Sequence, residues 1–270
     1  MPRLTRREIL IILASVISAG IPIASYPYFT KTEEDIKKII KQYQIQQNKL
    51  LRHHAEGILR NKVMLHTEST RKIGEAISVD TSEGDGLIYR NYVLTASHVG
   101  TYIKFQSPYG LPDIKVDVLE DRIKIKDTIH ILQEIYRDRE RDILILKLPE
   151  DYNVPDYKVK LGNSNELEPF EKIYLLGDPH ELDNIIREGI VSNKLKSREN
   201  FGEGINVSMT VRGGDSGSPL INLKGEVMGF MIQQHFGTWG YMIPINWYID
   251  AIRAYEVKND KPKTGFRKSN

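Results

Sequence analysis

The chain of 270 residues has no cysteine. Disulfides, metal-thiolate centres and thiol catalysis are excluded, and the fold has to hold by packing alone. An excess of one charge is also missing, since 38 Lys and Arg stand against 36 Asp and Glu. A net charge of +2 gives no reason to expect a nucleic acid or another polyanion as partner. The adjacent histidines His53 and His54 point about 100° apart on a helix, a poor arrangement for a shared metal, and are expected to be solvated. No metal and no cofactor is expected.

Long apolar runs are scarce as well, and the one present is at the start. No charge falls between Ile9 and Thr30, and Arg3, Arg6 and Arg7 precede the run. This is the pattern of a membrane-targeting segment. Residues 1–30 are read as a single-span anchor, with membrane contact through residues 9–29 and the rest of the chain outside the cytoplasm. Cleavage as an export signal is the alternative, although no clean A-x-A site follows. Residues 31–60 carry partly helical spacing at Ile36, Ile39, Ile40, Tyr43, Leu50, Leu51, Ile58 and Leu59, with Glu33, Glu34 and Asp35 in a first turn. A helix of about 25 residues ending near Gly57 is expected as a stalk or arm. Homo-oligomerisation through it is the alternative.

Past residue 60 the pattern changes to short alternating or apolar runs broken by turn signals. Candidate strands are 63–67, 73–79, 86–89, 92–96, 102–106, 114–118 and 143–148, with a short helix at 127–136. After a connector at 149–169 rich in Asp, Asn, Pro and Gly, a second group runs 172–176, 185–191, 205–210, 219–221, 227–233 and 241–243. Asn246 is read as the cap of a final helix at 247–255. The tail, 257–270, is polar and basic.

Three motifs carry chemistry. G-D-S-G-S-P at 214–219 places a serine among glycines, T-A-S-H-V at 95–99 a histidine, and R-D-I-L-I-L at 141–146 an aspartate. A serine hydroxyl attacks a carbonyl only if a base removes its proton as the bond forms, and an imidazole titrates in the right range to do so. His98 is the candidate base for Ser216, with Asp142 fixing the ring and stabilising the imidazolium. Each residue alone has a structural explanation: a bonded core histidine, a strand-entry aspartate paired with Arg139 or Arg141, a tight turn. All three in the order His, Asp, Ser, each at the edge of an apolar run, argue for catalysis. The alternative elbow G-x-S-x-G fails at Ser218 and in chain order.

On these motifs, and on G-T-W-G-Y-M-I-P-I at 237–245, the chain from about residue 60 to 256 resembles the trypsin-like serine proteases, most closely their bacterial Deg-type members. The resemblance implies an all-β fold of two six-stranded Greek-key β-barrels of the chymotrypsin type, over about 61–150 and 165–245, with the triad at their junction. It implies an oxyanion hole from the N–H groups of Gly214 and Ser216, and a protein or peptide substrate. Substrate-binding positions carry over to Thr210 and Gly240 in the specificity pocket and to Ile232, Gln233 and Gln234 on the strand that pairs with substrate. With no acid at Thr210 or Gly240, cleavage after a small or medium uncharged residue is expected. Ser97 and Ser218 depart from the family pattern, standing where alanine and glycine are common. Asp215 corresponds to the residue that pairs with a freed N-terminus in secreted zymogens, and its role here is open. No peptide-binding module of the kind such proteases append is expected within these residues. A catalytically silent peptide-binding or envelope-sensing protein is the opposing expectation.

Overall fold

The computed structural model describes residues 33–73, 76–99, 116–125, 128–177, 184–198, 202–235 and 239–259. The segment 1–30 and the tail beyond 259 lie outside them. Among the described residues no helix is long and apolar enough to cross a membrane.

The chain divides into compact units at 1–49 and 50–270. Helix α1, Glu33–Leu59, forms where expected and ends two residues past Gly57, near the expected stop. That glycine is there for a close approach, because a Cβ would come 2.3 Å from the Tyr157 ring. Ala55, Gly57 and Ile58 are buried, so the last turns form an arm packed on the core and not a free stalk. His54 is correspondingly half-buried, its Nδ1 2.9 Å from Tyr157 Oη, while His53 is solvated as expected.

Seven antiparallel strands follow: β1 Lys62–Ile73, β2 Ala76–Tyr89, β3 Tyr92–Ala96, β4 Val116–Ile125, β5 Thr128–Ile131, β6 Gln133–Asp138 and β7 Ile143–Lys147. Their order in the sheet is β5-β4-β1-β2-β3-β7-β6. Where a six-stranded barrel was expected, the described residues form this seven-stranded sheet, and the expected strand at 102–106 lies outside them. The expected strand at 73–79 straddles the break between two paired strands, since β1 ends at Ile73 and β2 begins at Ala76, opposite it. The helix expected at 127–136 is also replaced. T-I-H-I and Q-E-I-Y-R-D are short, partly β-branched runs, and pairing with β4 and β7 overrides their weak helical pattern.

The second group closes as a six-stranded barrel: β8 Lys172–Gly177, β9 Ile185–Arg198, β10 Gly202–Ser208, β11 Pro219–Ile221, β12 Val227–His235 and β13 Trp239–Pro244. The order is β10-β13-β12-β11-β8-β9, with β9 pairing back to β10. Helix α2, Ile245–Asn259, buries Ile245, Tyr248, Ala251 and Ile252, spaced so that one face meets the core. Asn246 lies inside its first turn and bonds to a different element, whose own cap is Asn163. Its Oδ1 accepts from Ser164 N and Ser164 Oγ at 2.7 Å each, at the head of a 3-10 turn over Ser164–Glu166.

Candidate active site

The histidine and aspartate are brought together by strand register. β3 and β7 are antiparallel with Ala96 opposite Ile143, so the residues just past one strand and just before the other lie side by side. Those residues are Ser97, His98 and Asp142. Ser97 N donates to Asp142 O at 2.8 Å, and His98 N donates to Asp142 Oδ1 at 2.8 Å. His98 Nδ1 lies 2.6 Å from Asp142 Oδ2. A carboxylate only accepts, so this bond keeps the proton on Nδ1 and leaves Nε2 able to act as a base.

Asp142 holds its pose through a backbone angle that few side chains tolerate, φ 60°. Its side chain is 8% exposed against 32% for His98, so the carboxylate is shielded while the imidazole is reachable. The partner is His98 and neither neighbouring arginine; Arg141 instead stacks over the Trp247 ring at 5.1 Å. Beneath them, buried Tyr248 donates from Oη to Thr95 O at 2.7 Å. Burial first, and the Asp142 charge second, hold this phenol well above its ordinary pKa, so it remains a protonated donor.

The serine loop is fastened to the closed barrel. β11 pairs with β12 only as far as Phe230, and beyond that point Gly217 N donates to Met231 O at 2.7 Å and Met231 N to Ser218 O at 2.9 Å. From the other sheet Asp85 N donates to Ser216 O at 2.8 Å. Gly217 has φ 78°, and a Cβ there would come 1.9 Å from Asp85 O, so glycine is required on both counts. The hydroxyl of Ser216 donates to Ile232 O at 3.0 Å. Among the described residues it makes no hydrogen bond to His98. The N–H groups of Gly214 and Ser216, the expected oxyanion donors, have no partner among the described residues.

Asp215, fully buried, is occupied by an internal cation. Arg187 from β9 grips it with both terminal nitrogens, Nη1 to Oδ2 at 2.7 Å and Nη2 to Oδ1, while Arg212 N donates to Oδ2 at 2.6 Å. Arg187 Nη1 also donates to Thr210 O at 3.2 Å. Thr210 itself is exposed. Gly240 is buried, and a Cβ on it would come 2.7 Å from Met231 Sδ and 2.8 Å from Val211 Cγ2, an apolar and tightly filled wall. Ile232 is buried, and the backbones of Gln233 and Gln234 pair opposite Tyr241 and Gly240.

Both departures from the family pattern have partners. Arg137 Nη1 donates to Ser97 O and Ser97 Oγ at 3.2 and 3.3 Å, and Ser218 Oγ donates to Asp85 Oδ2. Neither Asp85 nor Arg187 stands out in a reading by motif. Their one signal is a charge inside a strand-like run, G-D-G-L-I for the first and I-I-R-E-G for the second. A charge at such a place asks for a buried partner.

A closed six-stranded barrel beside a sheet that carries an aspartate-paired histidine is the architecture of the trypsin-like peptidases. The chain belongs to this family, and within it to the Deg-type serine proteases; residues 80–230 match the Trypsin-like peptidase domain. Two relatives are a probable periplasmic serine endoprotease DegP-like of Halomonas elongata, 29% identical over 202 residues, and one of Pseudomonas savastanoi pv. phaseolicola, 33% identical over 188 residues. These matches cover 72% and 68% of this chain but 37% and 36% of the relatives, so the chain spans little more than a third of their length. The fold is also that of an HtrA-type protease, AlgW with tripeptide, at TM-score 0.56 and 19% identity over 76% of this chain and 62% of that one. A structure of an HtrA-type protease with decapeptide gives TM-score 0.59 at 17% identity, over 77% and 67%.

Proposed function

We propose that this chain is a serine endopeptidase working by acyl-enzyme chemistry with His98, Asp142 and Ser216. The observation that carries the reading is the two-point grip of Asp142 on His98, at Nδ1 and at the backbone N–H. His98 Nε2 takes the proton of Ser216 as Oγ bonds to the peptide carbonyl carbon. Negative charge on the carbonyl oxygen is met by the N–H groups of Gly214 and Ser216, and His98 then returns the proton to the departing amine. Water repeats the sequence to free the acid. For this Ser216 has to turn from Ile232 O to His98, a rearrangement of the kind that substrate-free sites commonly need.

The relatives' description as periplasmic endoproteases supports a site of action outside the cytoplasm, with residues 1–30 as export signal or anchor. In the same reading the sheet over 61–150 is the first of two barrels. Cleavage follows a small or medium uncharged residue: Thr210 is no acid, and Gly240 is backed by Met231 and Val211. A peptide library cut mainly after arginine would overturn that preference.

Reaction with a fluorophosphonate is the test of the enzyme. Stoichiometric labelling of Ser216, lost in Ser216→Ala and His98→Ala, is expected. A folded but unreactive protein points to the second reading, a silent peptide-binding or envelope-sensing protein, which the Ser216 bond to Ile232 favours.

A further inference from the structure

We propose that Lys62, Asp85 and Ser218 form a positioning clamp, which holds the nucleophile loop against the histidine-bearing sheet and so governs the reach of Ser216 to His98. The proposal rests on the serine-endopeptidase reading of that site. It begins from an oddity of burial. Lys62 Nζ and Asp85 Oδ2 are 2.9 Å apart, with side chains only 7% and 4% exposed. Desolvating two such charges cancels most of their attraction, and an apolar pair of the same size would stabilise the fold as well or better. The pair therefore asks for a role beyond stability.

Its position supplies one. Asp85 Oδ2, already held by Lys62, also accepts the hydroxyl of Ser218, which is fully buried two residues past the nucleophile. The backbone of the same residue works in parallel. Asp85 N–H donates to the carbonyl of Ser216 at 2.8 Å, and Asp85 O accepts Thr95 Oγ1 at 2.6 Å, three residues before His98. Asp85 O also sits where only glycine fits at 217. One residue of β2 thus meets Ser216, Gly217 and Ser218 on one side and the histidine strand on the other.

The residue types suit the task. An ionised carboxylate accepts several hydrogen bonds at once, and those bonds are stronger than neutral ones. Lys62 balances the charge and fixes the carboxylate's orientation. Glycine at 218, common in the family, would take this hydroxyl away from Asp85 Oδ2. Here the hydroxyl ties the loop to the first sheet, while β12 grips the same residues through Gly217 N and Ser218 O from the barrel. Held from both sides, the backbone of Ser216 gives its hydroxyl a defined origin from which to swing between Ile232 O and His98.

The test compares the full chain with Ser218→Gly, Ser218→Ala and Lys62→Arg, reading kcat and KM on a peptide substrate, the rate of fluorophosphonate acylation, and amide exchange at Gly217 and Ser218. Removing a hydrogen bond to a charged group predicts a fall of about tenfold or more in kcat and acylation rate for both Ser218 variants, with KM within about twofold. Amide exchange at Gly217 and Ser218 should quicken about tenfold in them. Lys62→Arg, which keeps the charge, should stay near the parent in all readings. Because glycine is ordinary at 218 in the family, misfolding does not stand in for an answer. Unchanged kcat, acylation and exchange in the Ser218 variants, or a lowered melting temperature alone, would overturn the clamp. If the parent itself fails to react with the phosphonate, the endopeptidase reading falls, and the exchange rates still decide whether the loop is clamped.

Discussion

The first sheet and the closed barrel are built of different material. Around β3 and β7 the core is made of branched aliphatic side chains, Val93, Leu94, Ile143, Leu144, Ile145 and Leu146, each 1% exposed or less. In the separate buried cluster inside the barrel, four of the twelve described residues are methionine: Met209, Met228, Met231 and Met242. Branched side chains have few rotamers and specify one packing, whereas methionine has three rotatable bonds and fills irregular space. The rigid sheet carries the His98–Asp142 pair, whose hydrogen bonds need a fixed geometry. The adaptable barrel lies behind the serine loop and Gly240, where Met231 touches both. Precision sits with the proposed base and accommodation with the proposed pocket wall.

The difference is broken most severely at its rigid end. Asp142→Asn should lower kcat by about 10⁴-fold by disturbing the histidine tautomer, with little loss of stability, and steady-state kinetics beside urea unfolding separates the two effects. Stability is the larger casualty on the barrel side. Arg187→Met leaves the Asp215 carboxylate buried with only the Arg212 N–H, and should cost about 3 kcal/mol in urea unfolding and most of the activity. Met231→Ala opens space beside Gly240 and should cost about 2–3 kcal/mol while shifting cleavage toward larger uncharged residues. Met231→Leu, equal in volume, should cost under about 1.5 kcal/mol and leave the preference alone.

The smallest effect concerns the α1 arm. His54 is held below its ordinary pKa, by burial first and by the neighbouring charges of His53 and Lys160 next, with Glu226 opposing. The folded chain therefore binds fewer protons there than the unfolded chain. Stability should be unaffected above about pH 6.5 and decline as pH falls below it. His54→Gln, followed by thermal melts from pH 7.5 down to pH 5, should flatten that decline.

Where the sequence was misleading, long-range pairing is the cause. The run over 127–136 has no strong period of its own, and its neighbours β4 and β7 made it strand. Gly57 reads as a helix stop, and the helix does end two residues on, but its contact with Tyr157, far along the chain, has no local signal. Asn246 reads as a cap for its own helix, and its side chain instead accepts from Ser164 across 82 residues of sequence. The site reads better. The residues proposed as catalytic sit in short motifs whose glycines and apolar flanks are set by local geometry, and register alone delivers His98 to Asp142.

By itself the amino-acid sequence determined the residue types of the site, their order, the β-rich second half and the absence of any covalent staple. Tertiary structure alone decided how the charges pair: Lys62 with Asp85, Arg187 with Asp215, and Ser218 with an acid 133 residues away. Hydrophobic periodicity is written every two or four residues and can be read from a short window. A buried charge has no such period, and its partner is whatever the closed fold brings within about 3 Å.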